Sequence, residues 1–234
     1  MYKVIRSEER GHKKYEWLET YHSFSFSDYY DPNKISFGPL RVLNHDIIQP
    51  GEGFPTHPHK DMEIVTVIIK GELAHKDSTG KSEVIREYEV QKMSAGSGVY
   101  HSEFNNSKDN LVELMQLWII PDRKGITPSY EQIKFSKEQR KNKLLKIAGN
   151  SGTDGQIFIN QKSEIYLSDL EKDRSLSFKT NEGFGVYLYL YEGEIEVSGE
   201  NLNKGDAIQF EDLNEILIKS NSDSSFIPFE VTLK

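Results

Sequence analysis

Apolar and polar residues alternate along much of the chain or gather into short β-branched and aromatic runs, and Gly, Asn, Asp and Pro separate these segments at short intervals. This patterning predicts a mostly β protein. The clearest strands are expected at Leu40 to Gln49, Glu63 to Lys70, Val84 to Met93, Val112 to Ile120, Gly185 to Tyr191, Glu194 to Ser198, Ala207 to Phe210, Glu215 to Lys219 and Phe226 to Leu233. Helix is scarce. Ser136 to Lys146 carries an N-cap serine followed by good helix formers and reads as a short helix near a junction.

Many short strands at regular spacing argue for a sandwich or barrel, and 234 residues leave room for two in succession. An internal comparison points the same way. VTVIIKGELAHKDSTG, from Val65, aligns with YLYLYEGEIEVSGENL, from Tyr187, each reading strand, Gly-Glu turn, strand, polar turn.

Composition then removes several function classes. With no cysteine, thiol nucleophiles, iron–sulfur clusters and zinc ribbons are excluded, and any metal must rest on His, Asp and Glu. Lys and Arg number 29 against 37 Asp and Glu, a formal charge of -8, which disfavours direct binding of nucleic acid. The first twenty residues carry charges throughout, and no later stretch approaches the roughly 20 apolar residues of a membrane span. A cytoplasmic protein with no membrane partner is expected.

The candidate chemistry lies in two short segments. In GEGFPTHPHKDME, His57 and His59 are two apart, so on a strand both imidazoles share a face. In SAGSGVYHSEF, His101 and Glu103 repeat that spacing after a Gly-rich turn. Two such strands lining one barrel would converge four donors on a divalent metal: iron(II), or nickel, manganese, copper, cobalt or zinc. Periodicity alone also admits Glu63, four residues after His59, in place of Glu103; otherwise Glu63 orients a ligand from behind or faces solvent. His22, His45 and His75 read as packing or hairpin residues. Phe54, Tyr100 and Phe104 flank the site and read as core or as walls of a pocket.

All seven histidines lie at or before His101. Carrying the internal alignment across, His57 and His59 fall opposite Lys179 and Asn181, and His101 and Glu103 opposite Ile218 and Ser220. The C-terminal half has no equivalent site, and its expected role is structural.

These segments resemble the pirin family of the cupin superfamily. The cupin pattern G-x5-H-x-H-x3,4-E-x6-G is met by Gly51, His57, His59 and Glu63, with Gly71 one residue late. Its partner G-x5-P-x-G-x2-H-x3-N is met by Gly98, His101 and Asn105, with Gly96 where proline is usual. RGHKKYEWLETYHSFSFSDYYDP and PDRKGITPSYEQ are similar to bacterial pirin-like proteins in particular, so the likeness is strong over about residues 1–135 and weak beyond.

The resemblance implies an all-β bicupin of two consecutive jelly-roll barrels, an N-terminal metal-binding barrel over 1–135 and a C-terminal barrel without ligands over 136–234. It also implies His57, His59, His101 and Glu103 as metal ligands, choosing Glu103 over Glu63, and iron as the metal. Two activities follow from it. One is a quercetin 2,3-dioxygenase-like enzyme that opens a flavonol ring with O2 and releases carbon monoxide, with Glu103 as the catalytic base. The other is a non-enzymatic, iron-dependent redox sensor or transcriptional coregulator acting through a protein partner.

Overall fold

The computed structural model describes residues 1–151 and 155–233, and among these the regular structure is almost entirely strand. The first half contains β1 (Tyr2–Ile5), β2 (Gly11–Lys14), β3 (Leu18–His22), β4 (Leu40–Ile48), β5 (Gly53–His59) and β6 (Glu63–Lys70). It continues with β7 (Glu72–Asp77), β8 (Ser82–Arg86), β9 (Glu89–Ser94), β10 (Val99–Asn105), β11 (Val112–Ile119) and β12 (Ser129–Lys134). The second half adds β13 (Leu145–Gly149), β14 (Ile157–Phe158), β15 (Ser163–Leu170), β16 (Ser175–Lys179) and β17 (Phe184–Glu192). It ends with β18 (Glu194–Val197), β19 (Glu200–Asn203), β20 (Ala207–Glu211), β21 (Glu215–Ser220) and β22 (Ser224–Thr232).

Two expectations change here. The helix read over Ser136 to Lys146 shrinks to one turn, α1 (Lys137–Arg140): Gln139 Oε1 accepts the Ser136 N–H at 2.7 Å and starts the turn, but Leu145 already opens β13. The strand read over Val84 to Met93 is two strands, β8 and β9, in different sheets. The break falls at Glu87 and Tyr88, where Tyr88 turns the chain through a left-handed φ of 67°.

The strands close into two barrels, each a seven-stranded sheet with a four-stranded one. The first pair runs β12-β9-β6-β11-β4-β3-β2 and β5-β10-β7-β8; the second runs β1-β20-β17-β22-β15-β13-β14 and β16-β21-β18-β19. The two orders correspond strand for strand, and only the outermost strand differs, β2 being antiparallel to β3 and β14 parallel to β13. The repeat seen between Val65 and Tyr187 is therefore a repeat of topology. Its turn glycines match: Gly71 and Gly193 have φ of 83° and 84°. A Cβ at either would also stand 2.7 Å from Leu111 O or 2.4 Å from Asp223 O, so the turn needs glycine twice over.

Symmetry of this kind exposes one exchange. β12 covers the edge of the first large sheet beside β9, and the corresponding edge beside β20 is covered by β1, paired from Tyr2↔Phe210 to Ile5↔Ala207. The division into 1–135 and 136–234 thus needs amendment at the start of the chain, because its first strand pairs with β20 and is the outermost strand of the second large sheet.

The largest apolar cluster lies between the two large sheets and joins Leu43, Val67, Met115 and Leu117 of the first to Ile165, Tyr187, Tyr189 and Phe229 of the second. Central strands such as β6 and β17 are consequently buried on both faces, and for that reason they read as continuous apolar runs. The interior of the second barrel is filled with aliphatic and aromatic side chains, among them Phe178, Leu188, Val197, Ile208, Ile216 and Ile218.

The first barrel is built otherwise. Two apolar clusters, one around Ile48, Ile68 and Leu114 and one around Ile64, Met93 and Val99, lie apart within it. A row of buried polar residues crosses five adjacent strands of its large sheet: His22, Asn44, Gln116, Thr66 and Gln91. Along the matching row of the second barrel stand Pro228, Leu188 and Ile208.

Candidate metal centre

β5 and β10 are antiparallel neighbours whose register sets His57 directly opposite His101. His59, two residues along β5, shares the face of His57. The three rings meet, with centroids 4.4 Å apart for His57 and His101, 4.7 Å for His57 and His59, and 4.8 Å for His59 and His101. Their ligating nitrogens all lie within 4.8 Å of one another.

Strict alternation along β10 buries His101 and Glu103 while turning Tyr100 (58 % exposed) and Phe104 (37 % exposed) outward. Of the three flanking aromatics, only Phe54 reaches the site; it packs edge-on against Trp17 and His57. The Glu103 carboxylate groups with His101 and with His75, which faces Glu103 across the β10–β7 pairing; ligating atoms of these three also lie within 4.8 Å of one another. His101 is thus the member common to both groups.

Hydrogen bonds show which atoms are free. His57 Nδ1 is engaged by the Pro55 carbonyl at 2.7 Å, which leaves Nε2 as its lone-pair atom. Gln116 Nε2 donates to Glu103 Oε2 at 2.7 Å, and Gln116 Oε1 accepts from Trp118 Nε1 at 3.1 Å. Glu103 Oε1 and both ring nitrogens of His101 are buried without any partner. Each such orphan costs about 1–3 kcal/mol, a cost that coordination of a cation removes.

Burial pushes the His101 imidazole down to about 3, with the adjacent His57 and His75 adding to it, and pushes His59 down to about 4. Both rings are therefore neutral at physiological pH, the form in which imidazole ligates. Neutral nitrogens beside a carboxylate oxygen, with no thiolate in the chain, fit a divalent first-row ion, and the cluster can hold one.

Glu63 is elsewhere. It lies fully buried on β6, accepts from Ser94 Oγ at 3.0 Å, and receives the backbone N–H and side-chain amide of Asn160 at 3.3 and 3.4 Å. It faces neither solvent nor the histidines: its partners tie the first barrel to the second half of the chain.

The site opens into a cavity of about 580 Å³. Trp17, Phe26, Phe54 and Trp118 supply aromatic walls; Thr20, Asn44, Asp46 and Gln116 supply a polar side; His57, His59 and Glu103 reach its surface. Trp118 stands edge-on to His59 at 4.7 Å. Burial pushes the Asp46 carboxyl up to about 7, opposed by the Thr20 hydroxyl, which donates to it at 2.5 Å. His22 also lines this cavity, bonded through Nδ1 to Asn44 Oδ1 at 2.8 Å and packed against Phe26 and Tyr29.

His45 points the other way, between the barrels, where Nδ1 meets Tyr189 OH and Nε2 meets Glu113, each at 2.8 Å. His75 and Gln116 are the residues that sequence reasoning passed over. For His75 the available signal was parity with the strand-turn-strand repeat, which places it on the inner face of β7.

Among the described residues the second barrel carries no equivalent group at the matching positions. Pairing of β16, β18 and β21 puts Phe178, Ile216, Ile218 and Val197 where the first barrel has His57, His101, Glu103 and His75. These are not the residues expected from the linear alignment, because the turn entering β21 is shorter than the turn entering β10 and the connection from β16 to β17 is one residue longer than that from β5 to β6. Apolar packing fills these positions.

Comparison with known proteins agrees with this geometry. Residues 4–119 match the family model described as Pirin, and residues 146–231 match the one described as Quercetinase C-terminal cupin domain. The chain is 39% identical over 226 residues to the quercetin 2,3-dioxygenase of Escherichia coli K12, covering 97% of this chain and 96% of that one. It superposes on the crystal structure of a bacterial pirin from Escherichia coli in complex with nickel(II) with a TM-score of 0.94 at 37% identity, covering 99% of both chains. A quercetin 2,3-dioxygenase structure from Acinetobacter baumannii, 22% identical with a TM-score of 0.77 over 98% of this chain and 85% of that one, shares the fold. Among the described residues no helix is long and apolar enough to cross a membrane. Two successive barrels, a histidine cluster confined to the first, and these family matches establish that the chain belongs to the pirin family.

Proposed function

We propose that this protein is a metal-dependent dioxygenase that opens a flavonol such as quercetin with O2 and releases carbon monoxide. One observation carries the reading: three clustered imidazoles and a half-partnered carboxylate lie at the end of an aromatic-walled cavity of about 580 Å³, a size suited to a small flat molecule. His57, His59, His101 and Glu103 would hold the ion, a donor set that suits several divalent first-row metals; we take iron(II) from the pirin resemblance. When bound, the ion supplies a Lewis-acidic, redox-active centre.

The chain's own residues do the rest. Trp17, Phe54 and Trp118 bury the flat rings and exclude water from the site. Glu103 is the general base for the flavonol 3-hydroxyl proton: Oε1 would face the ion, and Oε2, which takes one hydrogen bond from Gln116, keeps a second lone pair for that proton. The names of the Escherichia coli and Acinetobacter relatives support this substrate class. We place the protein in the cytoplasm, with no nucleic-acid partner.

The test is anaerobic reconstitution of metal-free protein with iron(II), nickel(II), manganese(II), cobalt(II), copper(II) or zinc(II), followed by addition of flavonol and O2. Ring opening with stoichiometric carbon monoxide supports the proposal. Full metal loading without turnover of any flavonol overturns it in favour of an iron-dependent sensor that acts through a protein partner.

A further inference from the structure

His75 and Asp77 sit behind the metal cluster on β7, directly across from Glu103 and His101 of β10. Both are buried, at 1 % and 8 % exposure, although neither is a ligand in the reading above. Asp77 Oδ1 is fully used: it accepts from Thr79 N–H, Thr79 Oγ1–H and Lys81 N–H. Asp77 Oδ2 faces His75 Nε2 at 3.1 Å. Burial alone would raise the Asp77 carboxyl, but these hydrogen bonds hold it below the usual carboxylate range, so it is ionised and acts only as an acceptor. The proton of a neutral His75 must then reside on Nε2, and Nδ1 is a buried lone pair with no partner.

His101 has the complementary deficit. A ring with one nitrogen on a metal carries a proton on the other, and that N–H requires an acceptor. Both nitrogens of His101 are buried and unpartnered. The rings of His75 and His101 are adjacent, with centroids 5.3 Å apart. One buried acceptor without a donor therefore adjoins one buried donor without an acceptor.

We infer that His75 is a positioning residue for the metal site: Asp77 fixes its tautomer, and its Nδ1 accepts the N–H of His101, forming a carboxylate–imidazole–imidazole chain that ends on the ion. The inference rests on the metal-site reading of the preceding subsection and accounts for the orphaned nitrogens of both rings. His75 never touches substrate, and its ring is braced on the other side by Tyr130, with centroids 5.0 Å apart.

The test uses the full chain, loaded with cobalt(II) as the spectroscopic probe, in wild type, His75→Phe, His75→Gln and Asp77→Asn. Release of cobalt to a chelator and the visible absorption bands are followed, with thermal melting of the metal-free proteins as the control for folding. Asp77→Asn is nearly isosteric and keeps the Oδ1 contacts, but its amide would donate to His75 Nε2, move the His75 proton to Nδ1 and set donor against donor.

His75→Phe and Asp77→Asn are expected to release cobalt roughly 10- to 100-fold faster with shifted bands. His75→Gln, whose amide can donate to Asp77 and accept from His101, is expected to restore much of the wild-type behaviour. Unchanged release and unchanged bands in both His75→Phe and Asp77→Asn, with wild type binding normally, would overturn the inference and leave the metal site standing. Failure of wild type to bind cobalt would remove the metal site and this inference with it.

Discussion

Gln116 Nε2 donates to Glu103 Oε2 at 2.7 Å, and this bond leaves one oxygen of the carboxylate, Oε1, without a partner inside the barrel. Gln116 is itself held by Trp118 Nε1, so the free oxygen belongs to a side chain that cannot easily turn away. Replacing the carboxylate by an amide removes the base while keeping the shape. Glu103→Gln, assayed at saturating metal and with occupancy matched to wild type, is expected to lower kcat for flavonol by about 10²- to 10⁴-fold. Turnover at the wild-type rate at equal occupancy would remove the base role.

Glu63 provides the contrasting case. Its carboxylate meets Ser94 and Asn160 and no histidine, so Glu63→Ala should cost stability and spare the metal. The loss is expected to be on the order of 3 kcal/mol, since charged hydrogen bonds in a fully buried position disappear together. Chemical denaturation checks the stability and elemental analysis the metal; a variant of normal stability that binds no metal would reverse the assignment.

Asp46 and the clustered histidines give the metal-free protein two opposed pH dependences. The Asp46 carboxyl is raised from 3.8 to about 7 by burial, so the folded state holds its proton more tightly than the unfolded state. Its contribution is fully present below about pH 4 and is lost as pH rises toward 7. His59 and His101 are lowered from 6.5 to about 4 and about 3, so their contribution is present above about pH 6.5 and is lost as pH falls. Asp46→Asn removes only the first dependence. Stability of this variant, measured by urea unfolding from pH 4 to 7, is expected to rise more steeply with pH than that of wild type, by on the order of 3 kcal/mol across the range. Parallel curves would contradict this.

The two barrels are also joined by a polar chain outside the site. Arg10 donates to Tyr189 OH at 2.8 Å and lies 4.4 Å from the centre of that ring, and Tyr189 OH meets His45 Nδ1, whose Nε2 meets Glu113. Tyr189→Phe leaves Arg10 and His45 each short of a partner in a buried place. A loss of about 1–3 kcal/mol in thermal or chemical unfolding is expected, with metal stoichiometry unchanged.

How much of this the sequence disclosed depends on the range over which each feature is determined. That His57 and His59 share one face, and His101 and Glu103 another, was legible because period-2 spacing is local; β6, bounded as expected at Glu63 and Lys70, was legible because it is a continuous apolar run that stops at the turn glycine Gly71. Glu63 was ambiguous because its role is set by Asn160, 97 residues away. His75 was hidden among charged neighbours in a hairpin, its inward face fixed only by pairing with β10. The placement of β1 beside β20 carries no local signal, since Tyr2–Ile5 pairs with residues near the other end of the chain. The counterparts in the second barrel were misplaced by connection lengths: one more residue between β16 and β17 puts Phe178 rather than Lys179 on the inner face, and a shorter turn puts Ile216 and Ile218 where the alignment put Ile218 and Ser220.

The claim that bears the rest is that the histidine cluster of the first barrel holds one metal ion. Elemental analysis after reconstitution of the metal-free chain and removal of excess ion tests it directly, in wild type and in His101→Ala, since His101 is common to both groups of potential ligands. One ion per chain in wild type and essentially none in the variant is the predicted result. No bound ion in wild type, or equal content in the two proteins, would contradict it.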